Sequence, residues 1–472
     1  MPIADARAPS PLERFLGLFT EVRPGEAVTA LLLTVNIFLL LTSYYIIKPV
    51  REGLILSLDG GTEYKSYLGG AIAAALFVVV PLYGRLVKRL PRNRLVVGVS
   101  LFFASHLAIF YALSTSPELR PRIAFAFYIW VGVFNMMVVA QFWSFANDIY
   151  DEEAGERLFA LIGIGASGGA AIGSLVGSTL IPVFGVYQML LLAAALLIAC
   201  AGLFQWVHAR ETRRETTAPP PAPSASSAVE GAAKGVDKPK SDLGPYQMVA
   251  RYRYLTLIAA FSLLFTLLNT NGEYILSSLV KARAVTLVGE GILTGEGQAD
   301  WIAAWYGEFF LGVNVLGTLL QAFVVSRLVK LGGLKVTFLV YPVLALLDAT
   351  MLTIAPLLLL ARVGKTLENA SDYSINNTAR NMLWLPTTRS MKYTAKQAID
   401  SFFTRLGDVM SALFVLLLAE TLQLGVRYFA GANVIFAVAT IVVALAIMRE
   451  LPKIRAQRDR GELPGDDAPE AA

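Results

Sequence analysis

The stretch AVTALLLTVNIFLLLTSYYII, Ala27 to Ile47, has no charged side chain and matches the roughly 20 apolar residues that a helix needs to cross a bilayer. It ends on KPVREGLIL, where Lys48, Arg51 and Glu52 arrive together. Outward from it, about twelve apolar segments of spanning length recur: 27–48, 66–84, 95–114, 122–146, 158–182, 187–208, 253–280, 301–326, 334–354, 356–382, 397–423 and 428–448. The fold class that follows is an all-α integral membrane protein, with twelve transmembrane helices in two six-helix bundles.

Composition agrees. Of the 472 residues, 56% are hydrophobic and 16% charged, whereas soluble chains carry about a quarter charged residues. The first 26 residues contain no apolar core followed by a small-residue cleavage site, so no segment is expected to be removed. Cys200 is the single cysteine, and His106 and His208 are the two histidines. No internal disulfide, metal site or cofactor is expected from such a set. The net charge of +5 is modest, and no basic run interleaved with aromatics suggests a nucleic-acid partner. There is no Gly-x-x-x-x-Gly-Lys-Ser/Thr loop and no nucleophile, base and orienter set. An enzyme is therefore not expected, catalytic residues are none, and any transport must run on gradients or counter-exchange.

The stretch HARETRRETTAPPPAPSASSAVEGAAKGVDKPKSD cannot bury a core and reads as a flexible linker. The expected divisions are a cytoplasmic segment 1–26, a bundle 27–208, the linker 209–245, a second bundle 246–450 and a tail 451–472. Basic residues gather in alternate loops: Arg85, Lys88, Arg89, Arg92 and Arg94, then Arg327, Lys330 and Lys335, then Arg389, Lys392 and Lys396. Both termini and the linker should therefore be cytoplasmic in a multi-pass protein of the cell membrane, plasma or inner. GRLVKRLPRNRLVV after the second segment is echoed by SRLVKLGGLKVTF after the eighth. Six plus six with a central linker points to the parallel repeats of major facilitator transporters, with a midplane site. A monomer in the lipid bilayer is expected.

An ionisable residue inside a span costs at least about 2.5 kcal/mol, so it normally faces a partner or a wet cavity. Lys48, Arg51 and Glu52 follow Tyr44 and Tyr45, with Lys48 and Arg51 on one helical face and Glu52 a turn beyond Lys48. Interfacial snorkelling is the bland alternative. Pro49 predicts a kink. In FTLLNTNGEYILSSLVKA, Gly272 between Asn269, Asn271, Glu273 and Lys281 predicts a broken helix lining a cavity. In ARVGKTLENASDYSINNTARNM, Lys365, Glu368, Asp372 and Asn376 form a polar stripe on one face. AKQAIDSFFTRLGDV brings Lys396, Asp400, Arg405 and Asp408, the last two spaced for an ion pair. Glu308 lies in the eighth span, where Trp301, Trp305 and Tyr306 read as an interface belt. Gly165, Gly169, Gly173 and Gly177 form a close-packing face.

Three stretches together resemble the ATP/ADP-translocase type of nucleotide transporter, which is major facilitator-like. They are YYIIKPVREGLIL, FWSFANDIYDEEAGERLFALIGIGAS and YSINNTARNMLWLPTTRSMKYTAKQAIDSFFTRLGD. The resemblance implies an exchanger of ATP for ADP or a carrier of other nucleotides. By motif it carries Lys48, Arg51 and Glu52 over as a first-helix group, with Arg380, Lys396 and Glu273 as further charged positions. The chain departs from the pattern in YIWVGVFNMMVVAQFW, which has no charge before Asp148, and where Asn381 follows Arg380.

The functional expectation is a secondary transporter of an anionic metabolite, a nucleotide first, by alternating access. Its substrate-binding residues would be Tyr44, Tyr45, Lys48, Arg51, Glu52, Asn271, Glu273, Lys365, Glu368, Asp372, Asn376 and Arg380. Glu308, Lys396, Asp400, Arg405 and Asp408 would serve as coupling or structural charges. Two alternatives stay open: the same scaffold carrying another solute such as a lipid, peptide or drug, and a non-transporting membrane scaffold or sensor.

Overall fold

In the computed structural model, residues 10–217 are described apart from 18, 19, 24 and 151, together with residues 244–464. The expected linker lies outside the described residues from 218 to 243. The described chain is helical with no strand: α1 (Pro11–Leu16), α2 (Ala27–Leu56), α3 (Gly61–Arg89), α4 (Arg92–Ser114), α5 (Arg120–Ile149), α6 (Glu152–Phe184), α7 (Gln188–Thr217), α8 (Pro245–Arg251), α9 (Arg253–Gly289), α10 (Gly297–Leu319), α11 (Val325–Ile354), α12 (Leu358–Ser371), α13 (Asn377–Met382), α14 (Arg389–Ala398), α15 (Thr404–Val415) and α16 (Val426–Asp459). Wider π turns at Leu320–Val324, Asp372–Asn376, Ile399–Phe403 and Leu416–Thr421 interrupt the later helices.

Among the described residues, ten helical runs are long and apolar enough to cross a membrane. One of them, Gly297–Ile354, holds both the eighth and ninth expected segments, joined at Gly333 with φ 64°. The expected tenth segment is not among the ten, because Arg362, Lys365, Glu368, Asp372 and Arg380 fall within it. The first segment is longer than expected. α2 runs through Pro49 without a break to Leu56, which puts Lys48, Arg51 and Glu52 inside the helix instead of at its end. Gly60, in the left-handed region at φ 69°, then turns the chain into α3.

Contacts divide the chain into two units. One takes residues up to 61, 71–218 and 284–314; the other takes 62–70, 219–283 and 315 onward. The linker-to-linker halves are therefore not followed at every helix, since 284–314 groups with the first unit and 62–70 with the second.

In the first unit α2 packs on α5, α6 and α7. Lipid gives no hydrophobic push between helices, so close backbone approach at small residues does the work. The glycine face of α6 supplies it. A Cβ at Gly165 would lie 2.6 Å from Thr34 O, one at Gly169 2.9 Å from Phe38 Cα, and one at Gly173 2.5 Å from Thr42 O. At Gly177 the nearest atom is 3.8 Å away, so the seam opens there. The first half of α10 joins by the same device: Gly53 meets Ala303, and Gly307 meets Ser178. Asn314 also donates to Ser174 Oγ at 3.1 Å. Trp305 and Tyr306 are buried in this packing, which corrects the expected interface belt. Trp305 stacks on Phe309 at 5.8 Å.

In the second unit α11 packs on α12 and α16. α9 meets α11 through Phe261 and Phe338, 4.4 Å between ring centres, and through Phe265 and Tyr341 at 4.9 Å. α9 is tied to α16 by amides: Asn271 donates to Asn433 Oδ1 at 2.6 Å and to Phe429 O at 3.2 Å, and Asn433 donates to Leu268 O. Such bonds are interhelical glue worth about 1 kcal/mol each.

Candidate functional site

In the first unit the charged end of α2 is enclosed by aromatic rings. The Lys48 ammonium lies 3.9 Å from the centre of the Phe310 ring and 5.2 Å from that of Tyr45. The Arg51 guanidinium lies 4.5 Å over Tyr128. Tyr44 and Tyr45 meet edge to face at 5.2 Å, and Tyr45 meets Phe310 at 6.4 Å. A ring face attracts a cation, the more so when both are shielded from water. Glu52 forms an ion pair with its neighbour Arg51, whose Nε donates to Oε1 at 3.1 Å. The neighbouring Arg51 reaches this carboxylate because a long guanidinium side chain can fold back along the helix. Arg51 retains 15% side-chain exposure against 1% for Glu52. The pair therefore has a covered carboxylate and a guanidinium that still has access.

In the second unit Lys365 is 1% exposed. Its ammonium donates to Asn269 Oδ1 at 2.9 Å and to Glu368 Oε2 at 3.0 Å, and lies 3.8 Å from Glu273 Oε1. Glu273 also accepts from Asn369 Nδ2 at 3.1 Å and faces Lys65 at 3.7 Å, which donates to Ser277 at 2.8 Å. α9, α12 and the first turns of α3 thus converge on a buried charge network. Gly272 does not break α9, which continues to Gly289. Its role is clearance, since a Cβ there would lie 3.2 Å from Lys365 Nζ. Below this, Asn376 donates to Asp372 Oδ1 at 2.8 Å across the π turn. Asn376, like Glu368, is buried.

Farther along the same unit, Arg380 lies 5.1 Å over the Phe265 ring and 3.9 Å from Asp400. Lys396 donates to Asn381 Oδ1 at 3.3 Å. These groups line a cavity of about 250 Å³ with Trp384 and Asn377. Arg405 and Asp408 form the expected ion pair at 3.0 Å, with Thr270 also donating to Asp408. Glu308 occupies an exposed position of α10.

The structure thus gathers Tyr44, Tyr45, Lys48, Arg51 and Glu52 into one cluster, and Glu273, Lys365 and Glu368 into another. Asn271 is fully buried and serves the tie to α16. Residues that the sequence reading missed are Lys65, Tyr128, Phe310, Asn369 and Asp348. Asp348 carried a usable signal, being the lone acid in YPVLALLDATMLTI.

The sequence profile of the Major Facilitator Superfamily matches residues 33–365, and that of the TLC ATP/ADP transporter matches residues 317–454. ADP,ATP carrier protein 1 of Rickettsia bellii (strain RML369-C) is 19% identical, with 88% of this chain and 91% of that protein covered. The fold resembles a bacterial homolog of the human lysosomal transporter Spinster, in its inward-facing and unoccupied conformation. There the TM-score is 0.60 at 14% identity, covering 92% of this chain and 99% of that one. It also resembles the nucleoside transporter NupG, with a TM-score of 0.57 at 14% identity over 89% and 98% of the two chains. Multiple apolar spans, charges gathered inside them and a profile match over most of the chain lead to one conclusion: the chain belongs to the Major Facilitator Superfamily, as a divergent transporter similar to the ATP/ADP-translocase type.

Proposed function

We propose that the protein is a secondary transporter of an anionic metabolite, with a nucleotide as cargo and exchange of ATP for ADP as its reaction. The two bundles 27–208 and 246–450 would alternate access to either side of the membrane, with both termini cytoplasmic. The observation that carries this reading is the placing of Lys48 and Arg51, half-buried, in α2 and of Lys365, fully buried, in α12, each against a ring face or a carboxylate. Cations kept at that cost inside apolar segments mark a path for an anion.

The chemistry of each group supports a role. Arg51 presents a planar fork suited to phosphate oxygens, and Glu52 holds it in place between cargoes. Lys48 and Lys365 supply point charges, while Tyr44 and Tyr45 offer rings to a base. Glu273, Glu368, Asp372 and Asn376 neutralise and orient the second cluster. Arg380 and Lys396 line a cavity of about 250 Å³ with Asp400, and their charges suit a phosphate.

The test is exchange in proteoliposomes. Vesicles loaded with ADP should take up labelled ATP, and Arg51→Ala should lower that uptake roughly tenfold or more, a charge-assisted hydrogen bond being worth about 1.5–3 kcal/mol. Exchange unchanged by Arg51→Ala removes the proposed anion site. Nucleotides should also raise the thermal midpoint of the purified protein, which peptides and lipids should not do.

A further inference from the structure

We propose that the open groove between α4 and α7 is a binding site for an acidic phospholipid, with its phosphate held by Arg94 and His208 and an acyl chain lying along Gly98 and Gly202. The site rests on the membrane-spanning fold and on no reading of the cargo. The leaflet it faces, the cytoplasmic one, follows the topology proposed above.

The groove encloses about 500 Å³. α4 enters the first unit at the end where α7 leaves it, and the helices pack side by side. Their inner sides are filled, with Val96 and Phe103 of α4 and Phe204 and Val207 of α7 buried in the core. The outer edge of the seam carries glycine instead. A Cβ at Gly98 or at Gly202 would meet nothing within 4 Å. Gly98 lines the groove, and Gly202 lies one turn from the lining residue Gln205 on the same side of α7.

The groove is polar at one end and apolar at the other. Asn93 and Arg94 of α4, with Gln205 and His208 of α7, line its mouth. Positions 94, 98 and 101 share one side of α4, as 205, 202 and 198 share one side of α7. Towards the middle of the span each side reaches an exposed aliphatic chain, Leu101 and Ile198. Trp206, next to Gln205, is 59% exposed, the placing of an interfacial anchor. The mouth therefore stands at headgroup depth and the other end in hydrocarbon.

The charge at the mouth calls for an anion from outside the chain. Among the described residues no carboxylate forms an ion pair with Arg94 or His208, and Glu211, one turn beyond His208, is engaged by Thr29 of α2. Arg85 and Arg89, exposed at the end of α3, and Arg213 of α7 add positive charge at the same end of the unit. Basic pockets between spanning helices hold anionic headgroups, and a guanidinium fork fits phosphate oxygens. No acid lines the groove to receive the ammonium of a zwitterionic headgroup, which favours an acidic lipid over a neutral one. A soluble phosphate would leave the track from Gly98 to Leu101 and from Gly202 to Ile198 uncovered, whereas an acyl chain covers it.

Native mass spectrometry of the full chain, presented with equal amounts of dioleoyl phosphatidylglycerol and dioleoyl phosphatidylcholine in detergent, tests the site. The expected result is retention of phosphatidylglycerol in preference to phosphatidylcholine. Arg94→Gln should lower that retention roughly fivefold. Gly202→Leu fills the track with every charge left in place and should lower it too, while Arg85→Gln, outside the groove, should not. The thermal midpoint in detergent checks that Gly202→Leu folds, and Gly98→Leu repeats the test from α4 if it does not. No preference for phosphatidylglycerol in the native chain overturns the site. Equal losses in Arg94→Gln and Arg85→Gln overturn it as well, because they would reflect general surface attraction. Retention unchanged in a folded track-filling variant overturns the acyl-chain track. Glycerol phosphate, the anion without tails, should fail to displace the lipid; displacement would mean that the groove takes a soluble phosphate, and the lipid assignment falls. None of these readouts involves transport, so they decide the site whether or not ATP moves.

Discussion

The carboxyl group of Asp348 occupies the space that a side chain at Gly364 would need. Gly364→Ala therefore overpacks the contact between α11 and α12 and displaces the carboxyl group from its notch. The expected loss is about 1–3 kcal/mol of stability, read as a lower thermal midpoint in detergent. Gly364→Ala combined with Asp348→Ala should recover most of it. No recovery would place the damage elsewhere than at this notch.

Lys365→Met leaves Glu368 and Glu273 without their shared cation. Breaking a buried pair from one side costs about 3–5 kcal/mol, whereas replacing the pair costs far less. The double variant Lys365→Met with Glu368→Gln should be more stable than Lys365→Met alone, and a double-mutant cycle on thermal midpoints checks the sign. A double variant less stable than either single one contradicts the pairing.

The α2–α6 seam predicts a contrast between two glycines on one face. Gly169→Ala puts a Cβ 2.9 Å from Phe38 Cα, while Gly177→Ala meets nothing closer than 3.8 Å. The first should cost about 1–3 kcal/mol through forced separation of the backbones, and the second close to nothing. Expression level and thermal midpoint of the two variants compare them directly, and equal behaviour would mean that α2 and α6 do not meet at this seam.

Glu26, just ahead of the first span, should confer acid sensitivity. Burial works against its charge, but two hydrogen bonds from Arg157, at 3.0 and 3.1 Å, and one from the Arg23 backbone at 2.9 Å prevail. Its carboxyl group is held below the usual carboxylate range. A lowered folded value means that the contribution is complete above the unfolded value, roughly pH 4.3, and fades as pH falls through the folded one. Glu26→Gln should thus be less stable than the native chain at neutral pH and converge with it in acid. A constant gap across pH would show that Glu26 acts through packing alone.

Much of this molecule could be read from its residues. Apolar length alone located the spans, because a bilayer demands a fixed run of helix, and the four-residue spacing of Gly165, Gly169 and Gly173 gave a seam before its partner was known. Charges inside spans pointed to Lys48, Arg51 and Lys365 for a single energetic reason. What the sequence could not provide was partnership across distant segments. Nothing local says that Lys48 lies over Phe310, or that Lys65 and Asn369 both reach Glu273. Spacing along one helix set Glu52 a turn from Lys48, and did not show that the Arg51 guanidinium next door pairs with the same carboxylate. Gly272 looked like a break and is a clearance, since a glycine serves either purpose and only the neighbouring helix decides which. Asp348 went unnoticed because it stood alone, although isolation in an apolar run is itself the signal.

The wide turns have a mechanical consequence. Among the described residues, all four lie beyond position 315, within the second unit, while the spanning helices of the first hold regular α geometry. A π turn carries a residue of slack that an α-helix can absorb or release by shifting register. Elastic compliance is thus unevenly shared: one unit behaves as a stiff frame and the other has built-in joints, one of them at Asp372–Asn376, a single turn from the Lys365 network. Any shape change of this protein should be borne mainly by bending and re-registration in its C-terminal helices.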